Sequence, residues 1–250
     1  KSAKAFLGDN CEEFTMSTNG RLITGLGGAS VYETDITLHH IYGFPYLPAS
    51  GIKGVVRSWI IQNVFGNPEN ITEEGDKKSP LINAEFRALT ESIAFCRIFG
   101  CPAQSTKFLL DNNGNRIKDE RGRDKTKISE VALRKKDNEK KGEESQGKVL
   151  FFDAFPTAAP NVVPEVMNPH YGPYYTGDGK TPPADYHNPV PIFFLAVDKK
   201  TKFQFIVGSK YGSWLDWKIK DRTILEWTKF ALQNHGIGAK TAVGYGYMTE

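Results

Sequence analysis

The sequence predicts an α+β protein with a ferredoxin-like (RRM-like) βαββαβ core, long insertions and a C-terminal glycine-rich loop. Two segments carry apolar residues at the helical spacing of three and four, one after residue 50 and one after residue 223. Apolar runs typical of strands lie before, between and after these two segments. This alternation of strands with two crossing helices is typical of a ferredoxin-like sheet.

The first strand is predicted within residues 11–24 and ends at Arg21–Thr24, because the glycines of residues 25–28 interrupt the extended pattern. Residues 31–48 mix threonine, tyrosine, phenylalanine and proline with charged residues. We expect extended structure and loop there.

The first helix is predicted to begin with Ser50 as its N-cap and to continue to about residue 65. Lys53 and Arg57 are four residues apart and therefore lie on one side of it. Two glycines, Gly51 and Gly54, fall in the first turn, where each costs about 1 kcal/mol relative to alanine in a helix interior.

The middle of the chain is predicted to contain a helix over residues 83–93 and a buried central strand over residues 149–155. The prolines and tyrosines of residues 156–191 favour a long ordered loop, whose rings either stack on bases or pack over the sheet. A hairpin is predicted from two apolar strands joined by a four-residue loop, Ile192–Val197 and Lys202–Val207.

The last part of the chain is predicted to contain the second helix and the last strand. Thr223 and Glu226 have the spacing of a capping box at the start of the helix. Gly236 occupies the position of a helix-terminating glycine. Tyr245–Met248 is predicted to form the final strand.

Length and charge favour a single domain over residues 1–250 with one charged insertion at about residues 104–148. The net charge is +3, and the insertion holds thirteen lysine and arginine residues against nine acidic ones, so the basic excess lies there. It has few large apolar residues, and we expect a mobile or partner-ordered lid or thumb. The sequence has no apolar run long enough to span a bilayer and no apolar leader, so we expect a cytoplasmic protein without membrane contact.

Residues 236–246 concentrate four glycines around one lysine and one threonine. Backbone N–H groups beside Lys240 and Thr241 could form a cradle for a phosphate. A P-loop requires glycine directly before the lysine, where this chain has Ala239, and a dinucleotide fingerprint requires a strand before the glycines. These nucleotide-binding motifs are therefore excluded, and a nucleic-acid backbone or a structural turn remains.

The three cysteines, Cys11, Cys96 and Cys101, do not form a secreted disulfide framework. Cys96 and Cys101 could bind a metal together with His170 or His187, but no second cysteine pair accompanies them. Reduced structural thiols are the favoured interpretation, and we expect neither a metal nor a cofactor.

Six stretches, in consistent order from about residue 21 to residue 247, resemble RAMP-superfamily CRISPR proteins, and the last three of them resemble specifically the subunit-six family of the type III-B Cmr effector complex. They are Gly25–Gly28, Leu38–Pro45, Pro48–Arg57, Val149–Pro156, Asn168–Tyr171 and Gly236–Gly246. The family usually has Gly-Ser-Ser-Leu-Lys-Gly where this chain has Ala-Ser-Gly-Ile-Lys-Gly at residues 49–54.

The resemblance implies a ferredoxin-like fold and a non-catalytic role in antiviral defence. The protein would hold the crRNA backbone toward its 3′ side and cap the filament of backbone subunits. Its partners would be crRNA, the crRNA–target RNA duplex, the backbone and small subunits and a neighbouring RAMP subunit. The residues implied in RNA binding are Ser50, Lys53, Gly54, Arg57, Gly236, Gly238, Lys240, Thr241, Gly244, Tyr245 and Gly246.

Two other functions remain open. RAMP relatives include endoribonucleases acting on crRNA precursor or target RNA, and here Glu33, Asp35, His39 and His40 would be the candidate catalytic residues. Adjacent histidines on a strand point to opposite faces, although a loop relaxes that constraint. A purely protein-binding adaptor would contact no RNA.

Overall fold

The computed structural model describes most of the chain. The described residues are 2–28, 34–66, 80–102, 105–108, 118, 120–123, 126–129, 145–177, 180–184, 188–210 and 213–250. Of the predicted features, Glu33, Tyr186, His187 and the greater part of the insertion lie outside these residues.

Helices occupy the beginning, the middle and the end of the chain. They are α1 (Ser2–Leu7), α2 (Ala49–Ile60), α3 (Pro80–Glu91), α4 (Ile93–Phe99), α5 (Gly172–Thr176) and α6 (Ile224–Asn234). A π-helical turn, Ile61–Phe65, continues α2, and a 3₁₀ turn is formed by Thr241–Val243. Within the described ranges, no helix has the length and apolar character needed to cross a membrane.

The strands are short, and those with a defined register pair in antiparallel fashion. They are β1 (Cys11–Thr18), β2 (Gly100–Cys101), β3 (Ser105–Phe108), β4 (Thr126–Ser129), β5 (Ser145–Gln146), β6 (Val149–Phe151), β7 (Phe155–Pro156), β8 (Val162–Met167), β9 (Ile192–Val197), β10 (Lys202–Ser209), β11 (Lys218–Ile219), β12 (Arg222–Thr223) and β13 (Met248–Thr249). The principal sheet has the order β13-β1-β10-β6, and β7 also pairs with β10. Two-stranded sheets are formed by β2 with β5, β3 with β4, β8 with β9, and β11 with β12.

The chain divides into two compact units, each assembled from three segments. Unit 1 comprises Lys1–Glu13, Ile52–Phe152 and Ile206–Ala231, and unit 2 comprises Phe14–Gly51, Asp153–Phe205 and Leu232–Glu250. The single domain over residues 1–250 stays a prediction.

Unit 1 has a core of aromatic and branched side chains from α2, α4 and α6. Val56, Ile60, Phe95 and Trp227 are almost completely buried. The indole Nε1 of Trp227 donates to the carbonyl oxygen of Ile219 at 3.0 Å, so this large ring is buried with its polar atom satisfied. Each fully buried side chain of this size contributes about 1.5–3 kcal/mol relative to an exposed one.

Unit 2 buries one face of the sheet and a second, smaller cluster. Met16, Phe203 and Phe205 are buried on the sheet, where the ring of Phe205 stacks on Phe14 with centroids 5.2 Å apart. The smaller cluster consists of Ile23, Phe194 and Ala196, with Met167 and Tyr245 among the side chains packed against it.

The start of α2 differs from the prediction, because Ser50 is not its N-cap. The helix begins at Ala49, and the backbone N–H of Ala49 donates to Oδ1 of Asp153 at 2.7 Å. Asp153 is therefore a helix-capping residue, which explains a carboxylate within an apolar stretch. Its negative charge already occupies the electropositive end of the helix.

The predicted central strand over residues 149–155 is also wrong. The run is divided into β6 and β7, and β6 lies at one end of the sheet order. Asp153 lies between the two strands, where its side chain binds α2 instead of continuing the ladder. The predicted helix over residues 83–93 corresponds to α3 and the start of α4.

The predicted hairpin between residues 192–197 and 202–207 does not form. Both segments are strands, but β9 pairs with β8, and β10 pairs elsewhere in the principal sheet. Residues between them bind the end of β1 instead, since Lys200 N donates to Thr18 O and Thr18 N donates to Thr201 O. The long loop predicted over residues 156–191 is consequently interrupted by β8.

The first and last strands have different bounds from those predicted. β1 ends at Thr18, and Arg21–Thr24 lies outside it, with Leu22 forming an isolated bridge to Val197. β13 starts only at Met248. Within the insertion at 104–148, β3 and β4 pair in register over four residues.

The second helix agrees with its sequence signal. Thr223 N donates to Oε2 of Glu226 at 2.7 Å, and Glu226 N donates to Oγ1 of Thr223 at 3.3 Å. These reciprocal bonds are the predicted capping box. The backbone hydrogen bond from Thr223 is the main cause that lowers the pKa of Glu226 below its ordinary value.

Residues 236–246 fold back on Arg21–Ile23 through main-chain hydrogen bonds. Ala239 N donates to Ile23 O, and Gly246 N donates to Arg21 O, each at 2.9 Å. Gly238 and Gly246 have φ of 94° and 76°, in the left-handed region. A Cβ atom on Gly238 would overlap the carbonyl oxygen of Ile23, and one on Gly246 would overlap that of Ile237. These two glycines are required by the fold.

Gly246→Ala and Gly54→Ala should change stability in opposite directions. At position 246 alanine meets a carbonyl oxygen and a left-handed backbone, so we expect a loss of at least about 2 kcal/mol. At position 54 alanine enters open space on the exposed face of α2, so we expect a gain of about 0.5–1 kcal/mol. Denaturant unfolding of the two variants and the parent chain measures both changes in stability. Equal changes would contradict the different roles assigned to Gly246 and Gly54.

Candidate nucleic-acid interface

The predicted RNA-binding residues fall into two groups that the structure places in different units. Lys53, Gly54 and Arg57 belong to unit 1. Ser50 and all of residues 236–246 belong to unit 2. Each group is therefore described by its own surroundings.

Nothing in the part of the chain that the structure describes requires the two glycines of α2 to be glycine. Gly51 and Gly54 are exposed, and a Cβ atom placed on either would meet no atom within 4 Å. Their backbone is helical, so no left-handed conformation requires them either. Ser50 is exposed beside them. The helix thus presents bare backbone at a cost in stability, which suits the close approach of another chain.

Lys53 is half-buried next to Gly54 on the same helix. Burial, and to a smaller extent the charge of Arg57, lower the pKa of Lys53 below its ordinary value. Among the described residues, no carboxylate lies within ion-pair distance of its ammonium group. A partly desolvated cation of this kind gains when an external anion such as a phosphate comes near it.

Arg57 already has partners inside unit 1. Its Nη2 atom donates to Oε1 of Glu85 at 2.7 Å, and its guanidinium lies 5.4 Å from the centroid of the Phe95 ring. Both members of the ion pair are about one-third exposed or more. A pair this accessible is worth about 1 kcal/mol or less, so Arg57 can exchange Glu85 for another anion at low cost.

Lys240 is also engaged. It adopts the left-handed conformation with φ of 60°, and its Nζ atom lies 3.1 Å from Sδ of Met167. The same atom is 5.5 Å from the centroid of the Phe194 ring, at the distance of a cation–π contact. Tyr245 packs edge-on against Phe194 with centroids 6.4 Å apart. Both predicted binding residues therefore help to hold the loop.

The backbone amides of the loop offer a smaller cradle than the sequence predicts. Six of them donate to carbonyl oxygens of the chain: those of Ile237, Ala239, Val243, Gly244, Tyr245 and Gly246. The first amides of the 3₁₀ turn, on Thr241 and Ala242, have no acceptor within the turn. Ala242 and Gly244 are exposed and Thr241 is half-buried. The exposed amides at the tip of the loop are therefore the candidates for an anion site.

Arg21 is a candidate residue that the sequence reasoning missed. Its Nη1 atom forms an ion pair with Glu165, and its Nε atom lies 3.9 Å from Oδ1 of Asp198. Together with Val243 and Gly244 it lines a surface depression of about 280 Å³ at the tip of the loop. The only available signal was its place at the end of the predicted first strand, because its loop contact depends on tertiary folding.

The candidate catalytic residues are used to build a turn. Oδ1 of Asp35 accepts from the N–H of Ile36 at 2.8 Å. Nδ1 of His39 accepts from the N–H groups of Ile41 and Tyr42 at 3.3 and 3.4 Å. The rings of His39 and His40 stack with centroids 5.1 Å apart, so the loop does bring the two imidazoles to one side.

Cys96 and Cys101 are buried, and their Sγ atoms donate to the carbonyl oxygens of Leu89 and Pro102. Among the described residues, no three side chains of histidine, cysteine, aspartate or glutamate come together as a metal site would require. His170 is exposed.

Comparison with known proteins gives a family and two relatives. A sequence model of the RAMP superfamily matches residues 15–249. The CRISPR system Cmr subunit Cmr6 of Pyrococcus furiosus is 35% identical and covers 93% of this chain and 66% of its own length. The Cmr6 subunit of Saccharolobus solfataricus is 25% identical and covers 93% of this chain and 55% of its own length. The chain thus spans between about half and two thirds of these relatives.

A solved structure shares the fold. A chain in the cryo-EM structure of the Type III-B Cmr-beta bound to cognate target RNA matches 95% of this chain and 57% of its own length, with a TM-score of 0.54 and 23% identity. The structure is a mixed α/β fold with antiparallel sheets, and the superfamily match extends over nearly all of the chain. This chain belongs to the RAMP superfamily.

Proposed function

We propose that this chain is a non-catalytic, RNA-binding subunit of a type III-B CRISPR (Cmr) RNA-guided effector complex. The observation that carries the proposal is its 35% identity to Cmr6 of Pyrococcus furiosus along 93% of the chain. In this role it holds the crRNA backbone toward its 3′ side and caps the filament of backbone subunits. Its partners are crRNA, the crRNA–target RNA duplex, the backbone and small subunits and a neighbouring RAMP subunit.

The strand order supports a ferredoxin-like core within this proposal. β1, β6, β10 and β13 would be its four strands, and α2 and α6 would be its two crossover helices. The observed order β13-β1-β10-β6 places the first strand between the fourth and the third, as a split βαβ arrangement requires.

The exposed face of α2 is the surface best suited to an RNA backbone. Gly54 leaves room for a sugar-phosphate chain, and Lys53 supplies a cation whose partial desolvation a phosphate would offset. Contacts of this kind position RNA without reading its sequence. A subunit that must accept every guide sequence needs such contacts.

The glycine-rich loop contributes less directly in this proposal. Its tip offers the amides of Thr241 and Ala242 and the nearby side chain of Arg21. Gly236, Gly238 and Gly246 act by shaping the loop, and Lys240 and Tyr245 by anchoring it on Phe194. We assign the loop a supporting role and α2 the main one.

The proposal is tested both in the reconstituted complex and with the purified chain. Photocrosslinking from α2, with the probe at Ser50, should label the guide RNA, and mapped nucleotides should lie toward the 3′ side. Target RNA, guide and Mg²⁺ mixed with the purified chain alone should give no guide-specific cleavage. Cleavage that Asp35→Ala or His40→Ala abolishes would establish the ribonuclease instead, and a complex without RNA crosslinks from this chain would favour a protein adaptor.

Lys53→Ala should weaken RNA binding about equally for different guide sequences. Because one phosphate contact is lost, the slope of log affinity against log salt should fall by roughly one unit or less. Fluorescence anisotropy with labelled guide RNA at several salt concentrations measures both. Lys199→Ala, which removes an exposed lysine from the β9–β10 connection, is the matched control and should leave the slope unchanged.

RNA affinity should also fall at alkaline pH through Lys53. Its pKa is lowered, so the ammonium loses its proton at a lower pH than an ordinary lysine, and its phosphate contact disappears as pH rises through that pKa. A 2′-O-methyl RNA probe withstands the alkaline conditions. The decline should be absent in Lys53→Arg, since arginine stays charged throughout. The same decline in both proteins would show that another group is responsible.

A further inference from the structure

A cluster of aromatic rings in unit 2 is not used by the proposed backbone contacts. We name it the aromatic turn: residues 39–44 together with Tyr46 and Phe155. Three ring pairs in it are stacked, with angles of 2–28° between the rings and centroids 5.1–5.9 Å apart: His39 with His40, Tyr42 with Phe44, and Tyr46 with Phe155.

The turn is held by the backbone and not only by its rings. His39 N donates to Phe44 O at 2.8 Å, and Gly43 N donates to His39 O at 2.7 Å. Gly43 has φ of 67°, which reverses the chain. Nδ1 of His39 accepts from the amides of residues 41 and 42, and Leu38 bridges to Pro45. The aromatic side chains are therefore presented by a defined turn.

The outermost ring is strongly exposed. Tyr42 has 71% of its surface in water although it stacks on Phe44 with an angle of 2° between the rings. Phe155 at the other side of the cluster is 38% exposed. An exposed ring contributes little to folding, so the burial of apolar surface does not explain Tyr42. The ring of Tyr42 also lies 5.0 Å from that of His39, at an angle of 31°. Since 71% of its surface is still in water, the side chain has room for one more flat ring.

The surroundings of the aromatic turn favour a nucleobase. Phe155 is paired with Gln204 across β7 and β10, and Lys202 lies on the same face of β10 because side chains alternate along a strand. Both are exposed. The carboxylate nearest in sequence, Asp153, is held by Ala49 N. An exposed aromatic cluster and an exposed lysine on the strand that pairs with Phe155 match the chemistry of a short stretch of RNA, in which bases alternate with phosphates.

We propose that the aromatic turn stacks an unpaired base of single-stranded RNA on Tyr42, with Lys202 as a cation for a neighbouring phosphate. This site rests on the proposed RNA-binding function and adds base stacking to its backbone contacts. Stacking at this site would not depend on the RNA sequence, since every base has a π face.

The test compares two labelled probes on the full chain: a single-stranded oligouridylate and a ribose-phosphate oligomer of equal length that lacks bases. Tyr42→Ala should weaken binding of oligouridylate by about tenfold, with an unchanged salt slope and unchanged affinity for the abasic probe. Tyr42→Trp should retain affinity, and oligouridylate should quench its added fluorescence. Tyr175→Ala is the matched control, because Tyr175 is 73% exposed but lies in α5.

Each other result has a definite meaning. If the parent chain binds oligouridylate and Tyr42→Ala binds it equally well, the stacking site is wrong while the proposed function stands. If the parent chain and its Cmr assembly bind no RNA, the function fails and the site with it. Equal losses for both probes would show that Tyr42 acts on the backbone or the fold. A loss confined to assembly with other subunits would identify a protein contact instead.

Discussion

The main-chain closure of residues 236–246 on Arg21–Ile23 is the constraint on which the candidate RNA contacts of the glycine-rich loop depend. Ala239 and Gly246 donate to carbonyl oxygens of that segment at 2.9 Å, and no side chain larger than hydrogen fits at Gly238 or Gly246. The closure positions Lys240 and Tyr245 over Phe194, and it brings the tip of the loop beside Arg21. The glycines that suggest an anion cradle in the sequence thus serve, in the structure, to let the loop pack against Arg21–Ile23.

Unlike Gly238 and Gly246, the glycines in α2 are not required by the fold of the described residues. A Cβ atom on Gly54 would meet nothing within 4 Å, and the backbone there is ordinary helix, so nothing in the described part of the chain requires a glycine there. The same distinction separates the cations. Arg57 and Lys240 are compensated by Glu85, Met167 and aromatic rings, whereas Lys53 is partly desolvated without a described carboxylate partner. The bare helix backbone and the incomplete compensation of Lys53 therefore both point to the face of α2.

The sequence predicted what depends on neighbours along the chain. The capping box of Thr223 and Glu226 and the two amphipathic helices are set by spacings of three and four residues, and the structure contains them. The predictions from sequence were wrong where the local structure depends on segments that are distant along the chain. Asp153 caps α2 from about a hundred positions away, and β9 takes β8 as its partner instead of β10. Strand propensity locates a strand, but its partner depends on which apolar faces can be buried together.

In the candidate site, too, local spacing was predictable and long-range contacts were not. Spacing placed Lys53 and Gly54 on α2, but it could not show which of the predicted cations were already paired. The sequence did not predict Arg21 or Tyr42 as binding residues, because their positions depend on tertiary contacts. A main-chain hydrogen bond brings Arg21 to the loop, and the turn built by His39 and Gly43 exposes Tyr42. The proposed contacts are Gly54 and Lys53 in unit 1 and, separately, the aromatic turn in unit 2. Each of them would bind any guide sequence. None of these features reads a base edge, which is the property that a subunit serving many guides requires.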